Sequence, residues 1–307
     1  MRKLIIVLMA AVLIAGCAGQ PGPVTAGDGL AITSFTSDTE SQMSNRTIRL
    51  FLEIENQGES VIDHNKTLLY LSGPIGTGLL QWEMTEGARS MTIERDLKPY
   101  DPLKDIPAGK DSIRWAIKAP QMDPGQQKTD TFTARAYYDY ETRVNGQIVA
   151  YSEAESVAAK QKGETLETST FTATGGPISI SVRSIPDPVV ITGIDETVTL
   201  EITVENTGGG TLYENGMTAD WIKTTDPDLE YDDLNKVYMT IDAGALNANL
   251  QGTCTGTQEL IGGKPTALTC DIKVPVPSTK TNYPIKISMT YGYYIDSPMQ
   301  LTVVGKR

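Results

Sequence analysis

Residues 48–58 read IRLFLEIENQG and residues 198–208 read VTLEITVENTG, and these two stretches decide the fold. In both, apolar residues alternate with mostly polar ones, which is the pattern of a β-strand with one buried face. Both end in Glu-Asn-x-Gly, where the asparagine side chain can satisfy its own turn and Gly58 or Gly208 can take a positive φ. The sequence therefore predicts two copies of one strand-and-turn unit.

Two further matches follow in the same order along the chain. Residues 109–120 (GKDSIRWAIKAP) align with residues 263–275 (GKPTALTCDIKVP), which places Cys270 on the inward face of its strand. Residues 132–140 align with residues 285–293, again as one side of an alternating strand. The offsets between copies stay near 150–155 residues, as loop insertions within a repeat would require. Matching order and register argue against chance similarity between β-rich segments.

The predicted fold is all-β, with two tandem immunoglobulin-like antiparallel β-sandwiches and a short connecting helix. Domain 1 is expected at residues 30–151 and domain 2 at residues 177–307. Residues 152–176 are expected to hold the helix and a linker, because Ser152 to Glu155 resembles a capping box and Gly163 is a plausible helix stop.

Several local predictions accompany this architecture. Asn145-Gly146 is a strong signal for a two-residue hairpin. Residues 217–223 are predicted as a strand, and residues 283–294 and 299–304 as two separate strands.

The amino terminus predicts the cellular location. A positive start and an apolar run end at Ile14-Ala15-Gly16-Cys17, which resembles the lipobox of bacterial and some archaeal lipoproteins. The resemblance implies a signal peptide at residues 1–16, lipidation of Cys17, a lipid-anchored flexible stalk at residues 17–29, and an extracytoplasmic protein at the cell surface. An ordinary cleaved signal or a short anchor helix are the alternatives.

The net charge of the chain limits which partners it can bind. The chain has 38 acidic and 26 basic residues, a formal net charge of −12. Such a surface repels nucleic acid and anionic headgroups, so we expect no nucleic-acid partner and attachment to the membrane only through the N-terminal lipid.

The remaining two cysteines are Cys254 and Cys270. In an exported protein we expect them to form a disulfide; two buried free thiols are the alternative.

The Asn-x-Gly strand end, followed by another strand, a proline-bearing loop and a late alternating strand, resembles the immunoglobulin-like, adhesion-related (CARDB-like) modules of bacterial and archaeal surface proteins. That resemblance implies extracellular adhesion or scaffolding and names no ligand. The matching positions shape turns and carry no chemistry. The units are longer than the usual module, with insertions at residues 72–108 and 224–264.

Reactive chemistry is sparse in the sequence. His64 is the only histidine, and neither a nucleophile elbow nor a phosphate-binding loop accompanies it. We therefore expect no enzyme and no cofactor, with calcium as the one exception. An alternating acidic segment could aim several carboxylates at calcium, or it could be a solvated loop. Its residues are Asp226, Asp228, Glu230, Asp232 and Asp233.

The sequence also offers two other kinds of candidate site. Asn45 and Asn65 begin glycan acceptor triplets, which matter only in a host with the machinery. Exposed aromatic rings could stack on sugars or on a protein partner. Alternation assigns four tyrosines to the cores and leaves Tyr100, Tyr137, Tyr294 and Trp82 as free candidates.

The function predicted from the sequence is a non-catalytic, lipid-anchored binding, adhesion or envelope-assembly protein, whose partner is an unidentified envelope protein or glycan. One rival is a structural subunit of a surface filament or coat that assembles by β-strand addition. The other is a hydrolytic or metal-dependent enzyme with its site in the insertions, in which Asp228 or Asp232 would be essential.

Overall fold

The computed structural model describes residues 29–224, 227–251, 254–262 and 264–306. Strands dominate these ranges, with two α-helices, α1 (Glu153–Lys162) and α2 (Met217–Thr224). The strands are β1 (Leu30–Ser37), β2 (Ser41–Met43), β3 (Thr47–Asn56), β4 (Thr67–Ser72), β5 (Glu83–Glu86), β6 (Ser90–Thr92), β7 (Lys110–Lys118), β8 (Gln127–Ser152), β9 (Thr170–Ala173), β10 (Ile178–Ile185), β11 (Val189–Ile191), β12 (Asp195–Asn206), β13 (Thr211–Tyr213), β14 (Lys236–Asp242), β15 (Leu250–Gln251), β16 (Gly256–Glu259), β17 (Thr266–Pro275) and β18 (Thr281–Val304).

The strands form three sheets. Each repeat supplies one four-stranded sheet, in the order β1-β3-β7-β5 or β10-β12-β17-β15. The third sheet has ten strands: β16-β14-β18-β8-β4-β6 with β2, β9, β11 and β13 added along β8 and β18. Pairing is antiparallel except for the short contacts of β11 with β8 and β2 with β18. The all-β antiparallel sandwich predicted from the sequence is confirmed.

Strands β8 and β18 form the spine that both repeats share. They pair along their whole length, from Gln127 opposite Val304 to Ala150 opposite Thr281. At about 3.3 Å per residue this ladder is roughly 80 Å long. Each four-stranded sheet packs on one half of it, so that one continuous core runs through both repeats.

Alternation in the sequence explains this core. In β3, Ile48, Leu50, Leu52 and Ile54 are at most 1% exposed, while the residues between them face solvent or the sheet edge. Cys270 is buried in the equivalent layer of the second repeat and is bonded to Cys254, as predicted.

The sequence repeat is also a symmetry of the structure, because the pairing register of β8 and β18 is related by the same offset. Tyr138 lies opposite Tyr293 and Tyr140 opposite Tyr291, and an offset of about 153 residues exchanges these two pairs. A pseudo-twofold axis therefore passes near Asp139 and its partner Gly292. All four tyrosines are at most 3% exposed and touch one another edge-on or tilted, which confirms their predicted place in the core.

The two Asn-x-Gly turns are fixed by matching hydrogen bonds. Asn56 Nδ2 donates to the carbonyl of Ser60 over 2.8 Å, and Asn206 Nδ2 donates to that of Gly210 over 3.0 Å. Tyr140 accepts from the Ser60 amide over 3.1 Å, and Tyr293 accepts from the Gly210 amide over 2.8 Å. Asparagine recurs in both copies because it closes the turn, and tyrosine recurs because it holds the turn against the spine.

The predicted positive φ at the glycines of these turns is wrong. Gly58 and Gly208 are absent from the positive-φ glycines of the described chain. The Gly58 amide donates to Asn56 Oδ1 and the Gly208 amide donates to the carbonyl of Pro177. Asparagine closes the first turn through its side chain, so the left-handed conformation is not needed.

The helix predicted after residue 152 is confirmed with both ends. Ser152 Oγ accepts from the Glu155 amide over 3.3 Å, and Gly163 ends the helix at φ 74°. Within the described ranges, neither helix is long and apolar enough to cross a membrane.

Three local predictions are wrong. Residues 217–223 lie in helix α2, because Thr218 and Trp221 follow a helical spacing and are the residues that it buries. Asn145 and Gly146 continue strand β8, since β18 and β9 pair with them on its two sides. Residues 283–294 and 299–304 belong to one strand, because β8 pairs with β18 straight through Pro298.

Candidate functional site

The candidate site is the outer face of the ten-stranded sheet, the face turned away from both four-stranded sheets. Alternate residues of β8 point there, while their neighbours enter the core. Near the pseudo-twofold axis these outward residues are Arg135, Tyr137, Asp139, Glu141 and Arg143.

A groove of about 260 Å³ lies on this face where β8, β18 and β14 run side by side. Arg143 forms an ion pair with Glu141, and the Ser288 hydroxyl also donates to Glu141. Asp242 accepts 2.9 Å hydrogen bonds from the Asn247 side chain and the Gly244 amide. The lining consists of Glu141, Arg143, Val144, Asn145, Thr240, Asp242, Lys286, Ile287 and Ser288.

Hydrogen bonds keep two carboxylates of the groove in their charged form. The hydrogen bond from Arg143 lowers the pKa of Glu141, and the hydrogen bond from Asn247 lowers the pKa of Asp242. Both carboxylates are therefore ionised at neutral pH and are weak proton acceptors. The groove suits the recognition of polar or charged groups, and its acids are poorly tuned for proton transfer.

Beside the groove, helix α2 of the second repeat covers strands β4 and β8 of the first. Helix α2 places Trp221 against Tyr137, with ring centroids 5.1 Å apart, and Leu68 of β4 joins the same small cluster. Tyr213 completes the cluster by lying over Gly292, where a Cβ atom would come within 2.1 Å of its ring. Glycine is required at this position because the aromatic ring occupies the space of a side chain.

Asp139 is buried beneath helix α2, near the pseudo-twofold axis. It is 8% exposed, its Oδ1 accepts from the Thr218 hydroxyl over 2.9 Å, and its Oδ2 has no hydrogen-bond partner among the described residues. Thr218 in turn lies 2.5 Å from the Tyr213 hydroxyl. Burial raises the pKa of Asp139 despite the hydrogen bond from Thr218.

This geometry predicts how stability depends on pH. The folded pKa of Asp139 lies above its unfolded value, so its contribution to stability is present below the unfolded pKa and is lost as pH rises through the folded one. We expect Asp139→Asn, which stays neutral, to remove this loss. The melting temperature of the variant relative to the native protein should increase as pH rises above about 4.

The matched control for this prediction is Asp220→Asn, on the exposed side of the same helix, where the carboxylate side chain is 77% exposed. Because it changes an exposed surface residue, it should alter stability by at most about 0.5 kcal/mol. The charge of Lys66 lowers the pKa of Asp139 and the charge of Asp63 raises it, and both residues are unchanged in the two variants. A flat difference for Asp139→Asn between pH 4 and 8 would contradict the prediction.

His64 lies in a small charged group close to helix α2. Its Nδ1 is 2.7 Å from Asp96 Oδ1 and 3.8 Å from Asp63 Oδ1. The hydrogen bond from His64 lowers the pKa of Asp96. Among the described residues, Asp63, His64 and Asp96 form one group of three side chains that could bind a metal ion. The sequence does not reveal this group, because Asp96 is distant from the other two along the chain.

The predicted calcium segment has a structural role in its described part. The Asp233 carboxylate accepts from the Glu230 amide over 3.0 Å, which closes a capping box on the short helical turn Tyr231–Asp233. Asp226 lies outside the described residues, and Asp228 and Asp232 join no group of three ligands in the described chain. Calcium binding by these residues stays a prediction.

The other predicted positions are spread over the molecule. Cys17 lies outside the described residues, so its lipidation stays a prediction. Asn45 and Asn65 are both exposed, and glycosylation there stays a prediction as well.

Of the four aromatic residues predicted to be free, two are not. Trp82 is fully buried and donates its ring N–H to Asp130 over 2.8 Å, and Tyr137 is only 3% exposed. Tyr294 is half-buried with the Arg135 guanidinium 4.2 Å from its ring centre, and Tyr100 is 54% exposed. Tyr137 faces outward but is covered by Trp221 of helix α2, whereas Trp82 belongs to the insertion at residues 72–108 and packs against Phe132 in the core.

Comparison with known proteins adds little to this geometry. No protein-family model matches the chain, and no curated protein matches it. Among solved structures, the collagen adhesin of S. aureus is similar at 9% identity over 89% of this chain and 92% of that chain, with a TM-score of 0.16. A likeness of this size supports no inference about function.

Proposed function

We propose that this protein is a non-catalytic, lipid-anchored cell-surface protein that binds an envelope protein or glycan for adhesion or envelope assembly. The lipobox-like end at Cys17 supports the address, and the Cys254–Cys270 disulfide fits a compartment outside the cytoplasm. The resemblance of both repeats to CARDB-like modules supports the role in adhesion or scaffolding.

The observation that carries the binding role is the groove on the outer face. It combines two ionised carboxylates with the cations of Arg143 and Lys286 and with the hydroxyls of Thr240 and Ser288. Such a mixed pattern gives a partner orientation and specificity through complementary charge and hydrogen bonds. It also selects against partners of a single charge sign.

The test is a pull-down from the source organism's envelope with the lipid-free fragment 27–307. We expect one defined partner, whose affinity falls about tenfold in the double variant Arg143→Ala/Lys286→Ala, since two polar contacts of about 0.7 kcal/mol each add to that factor.

The matched control is Lys104→Ala/Lys118→Ala, which removes two cations that lie outside the groove and that pair with Asp101 and Glu83. Its affinity should equal that of the native protein. Equal affinity of the groove variant and this control would exclude the groove as the binding site.

The rival assembly by β-strand addition has one specific observation in its favour. β10 lies at the edge of its sheet and pairs with β12 over eight residues without a register shift. By contrast, the ten-stranded sheet ends in β6 and β16, which are three and four residues long, and short edges disfavour strand addition. Polymers whose amount rises with protein concentration in sedimentation would favour the rival.

A further inference from the structure

We propose that the anchored protein turns its two four-stranded sheets toward the lipid bilayer and presents the outer face of the ten-stranded sheet, with its groove, away from the membrane. This inference rests on the lipid anchor of the proposed function and adds the orientation that the anchor imposes.

The first step is the place where the tether meets the body. The Gly29 carbonyl accepts from the Gln57 amide over 2.8 Å. A Cβ atom on Gly29 would lie 2.9 Å from the Tyr138 hydroxyl and 3.0 Å from Pro177 Cγ. Tyr138 belongs to the core side of the spine, and Pro177 precedes β10. The tether therefore joins the body in the seam between the two four-stranded sheets, near the middle of the spine.

The second step is the reach of the tether. From Cys17 to Gly29 the chain has about twelve residues, which can span at most about 40 Å at full extension. Each end of the spine is about 40 Å from its middle, at 3.3 Å per residue. Standing the molecule on one end would therefore consume the entire tether.

The same lengths disfavour the inverted orientation. To bring the outer face to the bilayer, the tether must pass about half the width of the sheet, roughly 15 Å, and then one sandwich thickness of about 10 Å. That detour of at least about 25 Å leaves at most about 15 Å of a fully extended tether to reach the lipid. When the four-stranded sheets face the bilayer, no detour is needed.

The third step concerns charge on the surface nearest the membrane. The exposed cations of the first four-stranded sheet are paired, as in Arg49 with Asp38, Arg114 with Glu86 and Lys118 with Glu83. In the second sheet Arg183 pairs with Glu201 over 2.8 Å. These pairs neutralise the cations, while exposed carboxylates such as Glu53 and Glu205 remain on the same faces. Charge therefore favours neither orientation, and the inference rests on the tether.

The experiment uses the acylated protein in phosphatidylcholine vesicles that carry a spin-labelled quencher lipid. Ser112→Cys and Ser181→Cys place a fluorophore on the exposed faces of the two four-stranded sheets. Thr131→Cys and Thr240→Cys place it on the outer face. The native cysteines do not compete for label, because Cys254 and Cys270 are bonded and Cys17 carries the lipid in this proposal.

We expect quenching at residues 112 and 181 to be at least about threefold stronger than at residues 131 and 240. A twenty-residue Gly-Ser insertion after Gly22 is the matched control and should reduce this difference, since the detour then costs little. Equal quenching at all four positions, stronger quenching on the outer face, or a difference unchanged by the insertion would overturn the proposed orientation. Protein that fails to float with the vesicles would overturn the lipid anchor itself, and the orientation with it.

Discussion

Replacing both Cys254 and Cys270 by alanine is expected to lower the free energy of unfolding by about 3 kcal/mol, because the bridge closes a loop across a sequence separation of 16 residues. Cys270 is 1% exposed in β17, in the core of the second repeat. Its sulfur therefore also fills space in the packed layer. In thermal melts this loss corresponds to a decrease in the melting temperature of about 6–10 °C.

Reduction of the native protein provides the control for this prediction. With a strong thiol reductant, the native protein should melt close to the double alanine variant, while the variant should not respond to the reductant. Native protein that melts at the same temperature with and without reductant would contradict a stabilising role of the bridge.

The buried faces of the strands could be predicted because burial within one strand is a local property. The period of two in residues 48–54 correctly predicts which residues of β3 are at most 1% exposed. Alternation also correctly predicts that the four inward tyrosines of the spine are buried. Period and repeat together therefore predict the layers of the sandwich and the internal symmetry.

The pairing of the two repeats could not be predicted in this way, because it joins strands far apart in sequence. Gly146 illustrates the point. Read locally, Asn145-Gly146 is a hairpin signal. In the structure a Cβ on Gly146 would lie 2.3 Å from the Phe171 ring and 2.4 Å from the Thr170 carbonyl, so the glycine allows β9 to approach the spine. Glycine suits both a hairpin turn and the close approach of a neighbouring strand, and the identity of that strand cannot be read from the local sequence.

The candidate site was missed for a related reason. The acidic residues that stand out in the sequence lie in an insertion, where carboxylates are dense. Asp139 lies instead between two core tyrosines of a strand, and a lone carboxylate in such a run was the available signal. Its burial depends on helix α2, a segment for which the sequence pattern predicts a strand.

Removing the hydroxyl of Tyr140 by substitution with phenylalanine is expected to cost about 2 kcal/mol of folding free energy. This hydroxyl accepts from the amides of Glu59 and Ser60 over 3.0 and 3.1 Å and donates to the Gly175 carbonyl over 3.0 Å. Its loss leaves the part-buried Ser60 amide without this partner, while the Glu59 amide keeps its 3.3 Å bond to the Gly175 carbonyl. A fully buried backbone group that loses its partner costs about 1–3 kcal/mol. Tyr293→Phe should have a comparable effect, because its hydroxyl holds the equivalent turn through Gly210.

Urea unfolding of these two variants, with Tyr100→Phe as the control, measures the effect directly. The Tyr100 ring is 54% exposed and its hydroxyl donates to the exposed Asp105 side chain over 3.3 Å, so its loss should change stability by less than about 0.5 kcal/mol. Unfolding midpoints that are equal in all three variants would show that the tyrosines contribute only their rings. A large effect at Tyr140 with none at Tyr293 would show that the two turns, although alike in sequence, are stabilised by different interactions.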